Sequence, residues 1–113
     1  MSINAKLVLT YGKHKGKEFP LKDGENLIGR IDPDSDEALA IDLDEDDIEA
    51  KVSRQHAVVC LEDDKATLED LGSLNGTFVK KADLRRLESG EKYTLRSGDE
   101  FIIGKVSLRY EEY

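Results

Sequence analysis

The sequence predicts an all-β fold, a two-sheet antiparallel β-sandwich of about ten or eleven short strands. Three observations lead to this fold class. Short apolar or alternating runs recur along the chain, turn signals such as Asp-Gly and Ser-Gly separate them, and no β-α-β alternation or internal repeat is present. Short strands joined by tight turns, with at most one helix, are typical of sandwiches and barrels.

Length and composition are consistent with one folded unit. The chain has 113 residues, of which 37% are charged and 38% are hydrophobic, which leaves enough apolar residues for one core. Two prolines and nine glycines are too few for a low-complexity chain. We therefore expect a single domain over residues 1–113, with its core at about 5–112 and an acidic loop at 32–50.

The net charge of −8 is unevenly distributed. Residues 32–49 hold ten of the 25 acidic residues and none of the 17 basic ones, so the rest of the chain carries 17 basic and 15 acidic residues. The low overall isoelectric point argues against nucleic acid and anionic membranes as partners. A small anionic ligand is compatible with the mildly basic remainder.

Cys60 is the only cysteine, so no intrachain disulfide can form. It lies in an apolar run, which favours a small buried side chain over a reactive thiol. The N-terminus has no signal-peptide pattern and no apolar run is long enough to span a bilayer. We expect a reducing, cytoplasmic setting, with no cofactor and no bound metal.

The first third of the chain reads as strands separated by turns. A period-two strand over 7–11 is followed by a basic turn at 12–17, which we place at one end of the sandwich. This turn either contacts an anionic ligand or is solvated. A short strand follows around 19–21, and Asp23-Gly24 predicts a hairpin before the strand that contains Leu27-Ile28.

The acidic segment 32–50 permits two interpretations. Its apolar residues form one weak helical face, or residues 40–43 form a short strand within a long loop. A calcium loop starting at Asp42 is excluded because its sixth position is Asp47 instead of Gly and its twelfth is Ser53 instead of Glu. A nonspecific divalent-cation site stays open, and a solvated run of charges is the favoured interpretation.

The remaining strands follow one another closely. Residues 57–61 read as a strand buried on both faces, and 66–70 alternates cleanly. Further strands are expected from Thr77 onward, over 93–95 and over 101–103. Gly104-Lys105 suits a type II′ hairpin turn, after which alternate residues face the core in the last strand.

Three motifs carry the chemistry of the chain. They are Gly29-Arg30, Ser53-Arg54-Gln55-His56 and residues 70–77, Asp-Leu-Gly-Ser-Leu-Asn-Gly-Thr. A phosphate group needs a planar guanidinium and short hydroxyl or amide donors converging from separate loops, and these motifs supply such donors. The residue types also allow a Ser53, His56 and Asp70 triad, although no nucleophile elbow surrounds a serine.

In order and spacing, these motifs resemble those of the forkhead-associated (FHA) domain, from about Leu7 to the C-terminus. The resemblance implies a ligand site on loops at one end of the sandwich that binds phosphothreonine peptides. It also implies that Arg30 and Ser53 contact the phosphate, that Arg54 contacts the peptide or phosphate, and that Asn75 holds the peptide backbone.

The same resemblance assigns supporting roles. Gly29 and Gly76 supply backbone geometry, His56 ties its loop to the sheet, and Leu74 and Thr77 flank the Asn-Gly pair. Two departures concern selectivity. Leu74 stands where the family often has Thr, and Lys80-Lys81 replaces the commoner Asn-Gly turn; the acidic segment is also longer than the family requires.

The expected function is therefore recognition of a threonine-phosphorylated protein or peptide, for signalling or assembly, without catalysis. One alternative is a phosphate-independent scaffold or self-association domain that uses a sheet face. A remote alternative is a hydrolase built on Ser53 and His56, whose activity would vanish in Ser53→Ala.

Overall fold

The computed structural model describes residues 4–31, 34 and 39–113, and within these it contains eleven strands and one 3-10 turn, at Asp44–Asp46. The strands, in chain order, are β1 (Ala5–Leu9), β2 (Glu18–Pro20), β3 (Gly24–Gly29), β4 (Ile41–Asp42), β5 (Gln55–Glu62), β6 (Lys65–Asp70), β7 (Thr77–Lys80), β8 (Leu84–Arg86), β9 (Lys92–Leu95), β10 (Glu100–Ile103) and β11 (Val106–Glu112).

The strands form two sheets that pack face to face. One sheet has six strands in the order β2-β1-β11-β10-β7-β8, and the other has five in the order β4-β3-β5-β6-β9. The named strand pairs are antiparallel except β3 and β4, which run parallel over two residues. The predicted two-sheet sandwich is confirmed.

The core lies between the sheets and follows from the period-two alternation. In β11, Val106, Leu108 and Tyr110 are buried while the residues between them are half-buried on the outer face. Phe101 from β10 and Leu68 from β6 are fully buried as well. Side chains of both sheets thus meet in one apolar layer, whose burial drives association of the sheets.

Two predictions about the first third are wrong. The first strand ends at Leu9, and Tyr11 lies beyond it with 79% of its surface exposed. Asp23-Gly24 does not close a hairpin, because β2 pairs with β1 in one sheet and β3 pairs with β5 in the other. The turn carries the chain between sheets, and the buried Asn26 side chain bonds both backbone groups of Lys22.

The acidic segment follows the second of its two interpretations. Its described part contains the short strand β4 and the 3-10 turn, with no longer helix, while residues 32–33 and 35–38 lie outside the described ranges. The prediction of a solvated charge run is only partly correct. Asp47 is buried, and the Asp46 side chain is 4% exposed.

Two features of the outer faces differ from expectation. Cys60 is half-buried on the outer face of β5 and is not a core residue, because its register places it opposite Glu25 and Thr67. Strand β8 is wholly exposed and was not predicted, because its sequence is Leu-Arg-Arg. The described residues include no helix of the length and hydropathy that a membrane crossing requires.

The strand directions bring the three sequence motifs to one end of the sandwich. β3 and β6 end there, β5 and β7 begin there, and the β10–β11 turn joins them, since the Gly104 N–H donates to the Gly76 carbonyl. The opposite end carries the first and last described residues side by side. There the Tyr113 N–H donates to the Asn4 carbonyl at 2.9 Å.

Candidate functional site

The end of β3 lies directly against the start of the second motif. The Arg30 N–H donates to the Arg54 carbonyl at 3.2 Å. A Cβ atom on Gly29 would overlap that carbonyl and would lie 3.2 Å from the Ser53 carbonyl oxygen. Only glycine therefore permits this close approach, and it places Arg30 beside Ser53 and Arg54.

The Arg30 side chain carries a buried donor atom. The residue is half-buried, and its Nε atom is buried without a hydrogen-bond partner in the part of the chain that the structure describes. A buried donor that lacks an acceptor costs about 1–3 kcal/mol. A guanidinium held in this way is suited to an incoming anion, which supplies acceptor oxygens.

His56 links the segment before β5, which contains Ser53, to the β6–β7 loop (residues 71–76) through backbone groups. It is fully buried; the Ser53 N–H donates to its Nδ1 at 2.9 Å, and its Nε2 lies 2.8 Å from the Gly76 carbonyl oxygen. Because Nδ1 accepts, the proton resides on Nε2, which donates to Gly76. Burial lowers the pKa of His56. This effect outweighs the hydrogen bond to the Gly76 carbonyl, which raises the pKa. The ring is therefore a neutral structural bridge.

The same contacts bear on the triad alternative. The Nδ1 atom of His56 bonds the Ser53 backbone and leaves the hydroxyl without this base. The Nε2 atom lies 4.0 Å from the Asp70 carboxylate and is committed to the Gly76 carbonyl. In this arrangement the imidazole cannot take a proton from Ser53 Oγ and pass it to a leaving group.

Asp70 organises the β6–β7 loop from below. Its Oδ2 accepts the N–H groups of Gly72 and Ser73, both at 3.0 Å, and its Oδ1 accepts the hydroxyls of Ser73 and Thr77. Burial raises the pKa of the Asp70 carboxyl, but these donated hydrogen bonds outweigh it and hold the pKa below its usual value. Thr77 is fully buried, so it supports the loop from inside.

The two loops meet where Ser53 faces Leu74. The Leu74 N–H points to Ser53 Oγ at 3.4 Å, and the Asn75 amide donates to the Lys51 carbonyl at 3.1 Å. Asn75 is half-buried, and the Lys51 carbonyl engages only one of its two amide N–H groups. Leu74 is 83% exposed and forms an apolar surface beside these polar groups.

The acidic loop is tied down by its own carboxylates and by the basic turn. Asp47 accepts the N–H groups of Lys51 and Val52 and so shapes the approach to Ser53. Asp46 lies 3.0 Å from His14 Nδ1 and 3.4 Å from Lys17 Nζ. Two residues of the basic turn thus pair internally.

His14, Glu45 and Asp46 could together offer ligand atoms to a metal ion, since these atoms lie within 4.8 Å of one another. The Lys17 ammonium already lies 3.5 Å from Glu45 and 3.4 Å from Asp46. It supplies the positive charge that these carboxylates need.

The family assignment rests on the match to a family model. The FHA domain model matches residues 26–104, which contain all three motifs. The chain belongs to the FHA domain family. Its two-sheet sandwich and its motif-bearing loops agree with that assignment.

The chain is similar to curated relatives that are named as a regulator and as an inhibitor. It is 38% identical over 105 residues to the glycogen accumulation regulator GarA of Mycobacterium tuberculosis, covering 93% of this chain and 56% of that protein. It is 37% identical over 105 residues to the oxoglutarate dehydrogenase inhibitor of Corynebacterium jeikeium, covering 93% of this chain and 62% of that protein. The chain thus spans less than two thirds of the length of these relatives.

Two solved structures are similar in fold. One is an FHA domain analysed for phosphothreonine-dependent interactions, with a TM-score of 0.73, 25% identity and 97% coverage of both chains. Another is Mycobacterium tuberculosis EmbR in complex with a low-affinity phosphopeptide, with a TM-score of 0.74 and 28% identity, covering 96% of this chain and 24% of EmbR.

The structure brings the four expected ligand residues to one end of the sandwich. Arg30, Ser53, Arg54 and Asn75 are linked through the backbone and loop contacts described above. Sequence reasoning missed Arg86, which contacts the β6–β7 loop through an unpredicted strand.

Sequence reasoning also did not predict the hydrogen bonds that Asp47 and Asp70 accept. The signal for Asp70 was present in the Asp-x-x-Ser spacing of residues 70–73, because an aspartate readily bonds the backbone two and three residues ahead.

Proposed function

We propose that this chain is a phosphopeptide-binding module that recognises phosphothreonine in a partner protein. The observation that carries the proposal is the buried Nε of Arg30, which has no hydrogen-bond partner among the described residues and lies beside the segment that contains Ser53. A phosphate offers three acceptor oxygens and nearly two negative charges, which match the guanidinium. In this proposal the site completes its hydrogen bonding only when the anion is bound.

Each expected ligand residue has a role in the proposed complex. Arg30 makes the charge-assisted contact to phosphate, and the Ser53 hydroxyl donates to a phosphate oxygen. Arg54 is exposed next to Ser53 and contacts the phosphate or the peptide. Asn75 holds the peptide backbone with the N–H and carbonyl oxygen that Lys51 leaves unused.

The supporting residues fix the loops that carry these groups. Gly29 permits the approach of β3 to the Ser53 loop. His56 and Thr77 anchor the Ser53 loop and the β6–β7 loop from inside the sandwich, and Gly76 adopts a left-handed φ of 92°. The exposed Leu74 is an apolar surface for the peptide.

The proposal includes a regulatory partner and no chemical step. The relatives are named as a regulator and as an inhibitor, and a structural neighbour is complexed with a phosphopeptide. Commitment of both His56 nitrogens to backbone groups disfavours the hydrolase alternative. We assign the chain to the cytoplasm, where protein kinases would supply the phosphothreonine, and we treat residues 1–113 as one module.

The test is titration of phosphopeptides into the purified domain. An oriented phosphothreonine library selects a sequence, and calorimetry then compares the selected peptide with its unphosphorylated and phosphoserine forms. We expect binding only with phosphate. The threonine methyl, when buried, favours phosphothreonine over phosphoserine by about 0.8 kcal/mol, near fourfold.

Ser53→Ala should weaken binding by about 1–3 kcal/mol through one lost hydrogen bond to a charged group. The matched control is Ser97→Ala, in an exposed turn at the opposite end, which should bind like the unmodified protein. A library without any phosphate-dependent binder would shift the assignment to the scaffold alternative.

A further inference from the structure

We propose that Arg86 is a positioning residue that holds the β6–β7 loop in the conformation that presents Asn75 to the peptide. The proposal rests on the proposed function and extends it to a residue outside the three motifs. Arg86 is the last residue of the exposed strand β8, which pairs with β7 so that Arg86 lies opposite Phe78. This pairing places the guanidinium beside the start of β7, where the β6–β7 loop ends.

The first observation is a pair of contacts to consecutive carbonyls. Arg86 Nη2 lies 3.5 Å from the Ser73 carbonyl oxygen and 3.4 Å from the Leu74 carbonyl oxygen. Each contact is long for a hydrogen bond, but both converge on the peptide units that immediately precede Asn75. A charged donor shared between two carbonyls orients both peptide planes.

The second observation is the fit between the guanidinium and Gly76. A Cβ atom on Gly76 would lie 2.8 Å from Arg86 Nε and 3.1 Å from its Cζ. The guanidinium therefore covers the Cα of Gly76, in space that any other residue would fill. Gly76 can adopt the left-handed φ, and because it has no side chain it leaves room for the Arg86 guanidinium.

These contacts complete a set that holds the loop from three sides. Asp70 binds the start of the loop from below, and His56 bonds the Gly76 carbonyl from inside the sandwich. Arg86 contacts the loop from the outer face of the six-stranded sheet. Without Arg86, the carbonyls of Ser73 and Leu74 lose a charged donor on that side.

The neighbouring Arg85 provides a matched control. It is the same residue type in the same strand, but it lies opposite Val79 and forms a two-pronged ion pair with Glu91 at 3.2 and 2.6 Å. Replacing either arginine by a neutral residue changes the net charge equally. A difference between the two variants therefore reports the loop contact.

The expected result is a loss of affinity, because fewer molecules of the free protein hold the loop in the conformation that binds the peptide. When only about a tenth of the molecules keep the competent loop, apparent affinity falls about tenfold. We expect Arg86→Ala to weaken binding of a phosphothreonine peptide about tenfold, and Arg85→Ala to change it by less than about twofold. Arg86→Lys keeps the charge but lacks the planar guanidinium that lies against Gly76, so it should recover only part of the loss.

Two readouts separate positioning from a purely structural or electrostatic role. Amide hydrogen exchange in the free protein should rise several-fold at Leu74 and Gly76 in Arg86→Ala, with little change in the sheets. In an Asn75→Ala background, Arg86→Ala should cost little further affinity, because residues acting through one contact are not additive.

Three results would overturn the proposal. They are unmodified affinity in Arg86→Ala, a loss equally large in the Asn75→Ala background, and full recovery in Arg86→Lys, which would leave only a charge effect. Should Arg86→Ala fail to fold, Arg86→Gln supplies the same comparison. If the unmodified protein binds no phosphopeptide, the proposed function fails, and the exchange experiment alone decides: faster loop exchange supports positioning by Arg86, and unchanged exchange refutes it.

Discussion

Asp70 and Arg30 are both charged residues at ends of strands in the five-stranded sheet, yet their surroundings are opposite. The Asp70 carboxylate accepts hydrogen bonds from two backbone N–H groups and two hydroxyls. The Arg30 Nε is buried with no acceptor in the described part of the chain. Asp70 therefore stabilises the fold through its hydrogen bonds, whereas Arg30 carries a donor without an acceptor, and the binding role proposed for Arg30 is based on that donor.

Removing the saturated charge should have the largest effect. Asp70→Ala leaves the hydroxyls of Ser73 and Thr77 without their acceptor, so we expect the free energy of unfolding to fall by about 3 kcal/mol or more. Urea titration measures this free energy. Glu25→Ala, at an exposed position, is the control for the lost charge. A loss below about 1 kcal/mol would show that the network is not a stabilising one.

Removing the unsatisfied charge should affect binding and spare stability. Arg30→Ala should cost about 2–5 kcal/mol of phosphopeptide binding, roughly thirtyfold or more. Arg30→Lys should also bind poorly because an ammonium lacks the two-pronged geometry. The free energy of unfolding should stay the same or rise slightly, since an unpaired buried donor is removed.

Calorimetry with urea titration on the same samples measures both quantities. Arg96→Ala, in the turn at the opposite end, is the matched control. Retained affinity in a folded Arg30→Ala protein would remove the central residue of the site.

Acid should lower the free energy of unfolding in two stages, first through His56 and then through Asp70. The folded pKa of His56 lies below its ordinary value of 6.5. The unfolded chain therefore binds more protons below that pH, so stability is complete above about pH 6.5 and falls as the pH decreases towards the folded pKa.

The lowered pKa of Asp70 adds a second loss that begins near its ordinary value of 3.8. Urea titrations between pH 7.5 and 3 should show both stages. A stability profile that stays flat from pH 7.5 to 5 would contradict the neutral His56 bridge.

The exposed acids of the acidic loop should have the smallest effect. Asp44 and Glu49 are exposed, whereas Asp46 and Asp47 are committed to internal contacts. We expect Asp44→Asn with Glu49→Gln to weaken a modest preference for basic residues beside the phosphothreonine. Exposed charges act over roughly 8 Å at physiological salt, so the preference should fade as salt rises. Peptide arrays that show no change in either condition would exclude this role.

Local patterns predicted most of the fold and the motif residues of the site. The alternation in β11 determines which residues enter the core, and it could be read directly. The Asp23-Gly24 signal indicated a bend but not the sheet to which the next strand would pair, since that choice depends on contacts with β5. Similarly, β8 has no apolar alternation and forms through its pairing with β7. The contact of Arg86 with the loop follows from that pairing, so no local pattern encodes it.

The hydrogen bond between Tyr113 and Asn4 has a practical consequence for building larger proteins from this module. Both ends of the described chain lie next to each other, at the end of the sandwich opposite Arg30 and Ser53. A fluorescent reporter or a second domain attached at either end would therefore project away from the ligand loops. Adjacent ends also tolerate insertion into a host loop or circular permutation. The domain is consequently well shaped for use as the recognition element of a phosphorylation sensor.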